Sequence, residues 1–275
     1  MKGKKVLIIL LTVLVFLSGT VLGVSSVYRV DEVVVDAKII SAEAEMEAAE
    51  LKNCLQAAYE KKFTLSVKDT EANAILEDFP YFRITSIEKK YPNRLIVHVA
   101  EDDEVYAVSR AEGGYYILNR EGTVLGIRDN YINRSDETKK AKNVLIEGVT
   151  VTGEKGQTIA GDDALGYLFD FCARVDELLQ GIRRNIVSIE KIQAGVSADT
   201  VMLKLVTFEG VNIYVNTPSV NAGEKATAAV ETYLSLEDGQ RTRGMIAVAD
   251  VGGVVKAVHS DKDVFEDKTS AEITQ

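Results

Sequence analysis

Two histidines, His98 and His259, are the residues of this 275-residue chain whose ordinary pKa suits acid–base work at neutral pH. His98 sits between Val97 and Val99 in the run LIVHV, which predicts a strand with the imidazole on its solvent side. His259 falls where the last patterned segment ends and reads as a surface residue. The spacing Ser-x-x-Lys occurs twice, at Ser86/Lys89 and Ser188/Lys191. It serves nucleophilic chemistry when one helical turn brings Ser and Lys together, but both copies fall in predicted strands and no SDN or KTG companion is present. GxSxG and HExxH are absent, and the glycine-bracketed stretch at residues 153–158 is too short for a phosphate-binding loop. Glu101-Asp102-Asp103-Glu104 has charge enough for calcium, yet lacks the EF-hand glycine and reads better as a solvated acidic edge; residues 129–136 read similarly. Cys54 and Cys172 lie far apart without a CxxC, so buried free thiols are favoured over a disulfide. The chain is expected to be no enzyme, with no catalytic residue, metal or cofactor.

The elements that would position these residues follow from periodicity. Residues 30–39 are rich in β-branched side chains and predict a strand. Ser41 is an N-cap for an amphipathic helix carrying Ala48, Leu51, Leu55, Ala58 and Tyr59 on one side. A second helix is expected over residues 70–78, capped by Asp69 and stopped by Pro80. Strands at residues 82–88 and 95–99 flank a turn at residues 91–94. A second block begins near Tyr106, with short strands at residues 115–118 and 123–127 around Asn119-Arg120-Glu121-Gly122. Residues 128–142 are polar and read as a loop. A helix follows from about Asp162, then strands at residues 186–192, 201–207 and 211–215, and a helix over residues 225–236. The last pair, residues 245–251 and 254–258, is joined by Gly252-Gly253, a hairpin signal. Residues 259–275 are charged and aperiodic, and a disordered acidic tail is expected.

Residues 6–24 carry no charge and follow Lys2, Lys4 and Lys5. Nineteen helical residues span about 28 Å, so a retained transmembrane helix is expected in preference to a cleaved signal peptide. The lysines place a stub of residues 1–5 in the cytoplasm and the rest of the chain outside. Without those lysines the chain keeps 29 of its 32 basic residues against 42 acidic ones, a surface that repels nucleic acid. The expected class is α+β: the N-terminal transmembrane helix, a small β-α-α-β-β module over residues 28–105, and a mixed domain over residues 106–258 dominated by antiparallel strands.

That order, with Phe79-Pro80-Tyr81-Phe82, Pro92-Asn93-Arg94, Leu95-Ile96-Val97 and Glu101 in the first module, resembles the FtsQ/DivIB family of bacterial cell-division proteins and its POTRA module. Residues 115–125, YYILNREGTVL, are similar to the hairpin that opens the family's β-domain, and residues 247–258 to its closing strand pair. The chain departs at Glu104, where the family usually has proline, and at Asn119, where it has aspartate. The resemblance implies a membrane scaffold of the division septum that binds FtsB/DivIC-like and FtsL-like proteins, with the septal transpeptidase as a further partner, and regulates septal peptidoglycan synthesis. The expected contact is strand addition at the terminal hairpin, through Met245, Ile246, Val248, Val251, Val254, Val255, Ala257 and Val258. Anchored or secreted cell-wall enzymes and POTRA-bearing envelope-assembly components are the alternatives.

Overall fold

Apolar runs and caps build two compact units, Met1–Asp102 and Asp103–Gln275. The computed structural model describes residues 2–39, 41–133, 135, 142–193 and 201–266.

The first unit opens with helix α1 (Lys2–Val27), whose described apolar side chains from Ile9 to Leu17 are exposed. Among the described residues, no helix is long and apolar enough to cross a membrane. The expected single transmembrane helix is corrected on that finding. Thr12, Ser18, Gly19, Thr20 and Gly23 interrupt the apolar run, and the Ser18 and Thr20 hydroxyls donate to the Leu14 and Phe16 carbonyls.

Strand β1 (Glu32–Lys38), helix α2 (Ala42–Tyr59), a 3₁₀ turn (Thr64–Ser66) and helix α3 (Asp69–Leu76) come next, then β2 (Phe82–Lys90) and β3 (Arg94–Glu101). Ser41 caps α2 as its side-chain type demands: its Oγ accepts the Ala44 N–H at 3.1 Å. α3 differs from expectation, since its N-cap is Lys68 and Asp69 is already helical. The sheet runs β1-β3-β2, with β1 parallel to β3 because two helices intervene, and β2 antiparallel to β3 across a short turn. Val33, Leu51, Leu55, Leu95 and Val97 are buried between the helices and one sheet face.

The second unit contains β4 (Tyr106–Ser109), β5 (Tyr115–Leu118), β6 (Val124–Arg128), β7 (Val144–Glu147), β8 (Val151–Thr152) and β9 (Ala160–Gly161). Helices α4 (Ala164–Leu179) and α5 (Ile182–Asn185) lead into β10 (Ile186–Gln193), β11 (Val201–Thr207) and β12 (Asn212–Asn216). Then α6 (Ala222–Ser235), α7 (Asp238–Arg241), β13 (Met245–Val251) and β14 (Val254–Ser260) complete it. Nine strands form one sheet in the order β14-β13-β12-β11-β10-β7-β4-β5-β6. The sheet is mixed. Pairs joined by short turns are antiparallel, whereas β12 runs parallel to β13 across α6, and β7 parallel to β10 across α4. α4 and α6 cover one face, where Leu168, Phe171, Cys172, Ala229 and Val230 meet Ile189, Leu205, Ile213 and Ile246 in the core.

Residues 259–266, expected to belong to a disordered tail, are ordered. His259 and Ser260 belong to β14, and residues 261–266 return against the other sheet face. There Phe265 meets the Tyr214 ring at 4.6 Å, and Asp263 Oδ2 accepts from the Tyr214 hydroxyl at 3.0 Å and the Asn212 amide at 2.7 Å. Residues 267–275 lie outside the described residues.

Candidate partner-binding edge

β14 ends the nine-strand order, so no described strand pairs with its outer side. Its position is set from the turn. Gly252 and Gly253 both have positive φ, 65° and 79°, as a two-residue turn matched to strand twist requires. Asp250 Oδ1 accepts the Gly253 N–H at 2.8 Å and holds the turn closed. Gly244 fixes the other end: its φ is 78°, and a Cβ there would fall 2.1 Å from the Ser260 carbonyl oxygen.

The register pairs Val251 with Val254, Val248 with Ala257, and Ile246 with His259. Across a two-residue turn the flanking pair is hydrogen-bonded, and hydrogen-bonded pairs then alternate with non-hydrogen-bonded ones. Val254, Lys256, Val258 and Ser260 therefore bond inward to β13. The N–H and C=O groups of Val255, Ala257 and His259 point outward, where unpaired strand edges accept another strand.

The eight expected contact residues separate by face. Ile246 and Val248 are 0% and 1% exposed beneath α6, and Met245 is buried on the opposite face with Met202 and Tyr214. These three support the hairpin and present no side chain to a partner. Val255 and Ala257 are half-buried against the helix-side core, so they offer chiefly backbone. Val251, Val254 and Val258 are exposed, Val254 by 58% and Val258 by 63%. Lys256 stands exposed between the last two, a charge that discourages indiscriminate pairing. Sequence reasoning missed the α6 side chains beside this edge, Glu224, Thr227, Ala228 and Glu231. Their helical spacing was the available signal.

Several of the residues considered for chemistry are engaged elsewhere, whereas His259 Nε2 is buried without a hydrogen-bond partner among the described residues. His98 Nδ1 lies 2.8 Å from Asp36 Oδ2, and its Nε2 is 3.9 Å from Glu88 Oε2. Ser86 is the Cα partner of His98 on β2, on an exposed part of the sheet. Lys89 donates to the Leu65 and Val67 carbonyls at 3.2 and 2.9 Å, and Lys191 to Asp162 Oδ2 at 2.7 Å. Burial works to raise the Asp162 carboxyl, but Lys191 and the Ala164 N–H outweigh it and hold it below the ordinary range. Asp162, Lys191, Tyr167 and Thr217 line a cavity of about 510 Å³. Glu101 accepts the Ser41 N–H at 3.1 Å, Asp103 faces Arg183 at 3.5 Å, and Glu104 pairs with Arg128. Both cysteines are free, and burial pushes the Cys172 thiol up to about 12, away from nucleophilic use. Among the described residues, no group of three or more His, Cys, Asp or Glu side chains could hold a metal ion.

No protein-family model matches the chain, and no curated protein matches it.

Proposed function

We propose that this chain is a non-catalytic scaffold of the bacterial division machinery, of FtsQ/DivIB type, working at the septum on the outer side of the cell membrane. It binds FtsB/DivIC-like and FtsL-like proteins, brings the septal transpeptidase into the same assembly, and so regulates septal peptidoglycan synthesis. The observation that carries this reading is the outer edge of β14, with which no described strand pairs, and Val254 and Val258 exposed beside it. Strand addition at such an edge draws its affinity from backbone hydrogen bonds and its selectivity from alternate side chains. The β1-α2-α3-β2-β3 order of the first unit supports it as the order of the module that the sequence resembles, which is the second candidate contact surface.

Depletion of the protein is expected to give filamentous cells, and a fluorescent fusion to gather at midcell. Normal division after clean deletion, with a diffuse fusion signal, would contradict the proposal.

A further inference from the structure

The sheet edge has a wall on one side. α6 packs on β13 and β14, and its Glu224, Thr227, Ala228 and Glu231 form one stripe at helical spacing. With Arg174 of α4 and the start of β14 they line a cavity of about 630 Å³. Its floor is apolar, because Ala228 and Val255 both pack against the core there. Its rim is acidic: Glu224 and Glu231 are exposed. The cation in it is engaged, since Arg174 Nη1 lies 2.6 Å from Glu177 and its Nε donates to Thr227 at 3.3 Å. Asp250 adds a carboxylate on the same face, where it accepts from Gly253 N–H and the Asn221 amide. The opposite face of β14 carries Lys256 between Val254 and Val258.

We infer that the β14 edge selects an extended protein segment whose alternate side chains are basic toward α6 and apolar toward the other face. This rests on strand addition at β14. An added strand lies about 4.8 Å outside β14, and every second side chain of it points into the cavity beside α6. A Lys or Arg there covers Ala228 and Val255 with its stem and brings its charge to Glu224 or Glu231. An acidic residue at the same place meets those carboxylates and is rejected. On the other face an apolar side chain extends the surface of Val254 and Val258, while a basic one is repelled by Lys256. A slip of one residue exchanges the faces of a strand, so opposite charges on the two sides set register as well as choice of partner.

The test titrates short alternating Lys/Val, Thr/Val and Glu/Val peptides onto the full chain at low salt. The Lys/Val peptide should bind about tenfold more tightly than the Thr/Val peptide, and the Glu/Val peptide most weakly. Glu224→Lys with Glu231→Lys should reverse the order, and Glu224→Gln with Glu231→Gln should bring Lys/Val down to the Thr/Val level. All four substitutions sit on an exposed helix surface, and thermal unfolding checks the fold. Equal binding of the three peptides, or an order unchanged in the double variants, overturns the charge selection. If Ala257→Pro still removes that binding, strand addition survives without it. Binding of no peptide, or binding indifferent to Ala257→Pro, overturns the inference with its premise.

Discussion

Val251 and Val254 face each other across the Gly252-Gly253 turn, and their pairing determines which way each amide of the last strand points. Counting outward from that pair, Ala257 turns its N–H to the open edge and Val258 turns its N–H to β13. Neighbouring residues thus have opposite directions, one toward the open edge and one toward the fold.

Proline separates the two. Ala257→Pro and Val255→Pro remove an outward N–H and leave the β13 ladder whole, so they should abolish partner binding with the fold retained. Val258→Pro removes a ladder bond and should cost about 3 kcal/mol or more of stability. Co-purification of division proteins with each variant, beside urea unfolding, gives both readings. Retained binding by a folded Ala257→Pro variant would count against the edge.

Gly244 should tolerate no side chain. Its positive φ, and the 2.1 Å that would separate a Cβ from the Ser260 oxygen, make Gly244→Ala both strained and crowded. The expected loss is about 2–4 kcal/mol, concentrated in the hairpin. Amide exchange across residues 245–260 should quicken more than in α4.

Phe265 holds the returning segment on Tyr214, beside Met202 and Met245. Phe265→Ala should release residues 261–266 and cost about 1–2 kcal/mol, reflecting a side chain that is only partly buried. Limited proteolysis should then cut after Ser260 in the variant sooner than in the parent. An unchanged cleavage pattern would show that the Asp263 hydrogen bonds suffice.

Acid should weaken the second unit through Asp162. Its carboxyl is held below its ordinary value of 3.8 in the folded chain, so the unfolded chain takes up the proton first as pH falls. The stabilising contribution is complete above that ordinary value and is lost as pH drops through the lower folded one. Unfolding measured from neutral pH down to about pH 2 should show a shallower acid dependence for Asp162→Asn. A slope equal to the parent's would remove the Lys191 pair as its source.

Local signals reached the elements that stand on local causes. Ser41 ahead of an apolar stripe gave α2, and Gly252-Gly253 gave the terminal hairpin, because caps and turns are chemistry within a few residues. β7 was not legible. It is four residues long, follows a polar stretch, and is held between β10 and β4, so its strand character comes from neighbours distant in sequence. The return of residues 261–266 was hidden for the same reason, since Asp263 and Phe265 find their partners about 50 residues earlier in the chain. At the edge, the alternation of Ile246 and Val248 against Val254 and Val258 was readable only once α6 was known to cover one face. The transmembrane expectation is corrected by the finding that, among the described residues, no helix is long and apolar enough to cross a membrane.

The most direct test of the account is amide hydrogen exchange at Val255, Ala257 and His259, with and without the proposed FtsB/DivIC-like partner. In the free chain these amides should exchange fast while those of Lys256 and Val258 are protected by β13. In the complex all of them should be slow, with the new protection confined to the outward-facing set. Fast exchange at Val255, Ala257 and His259 in the saturated complex would contradict strand addition at β14.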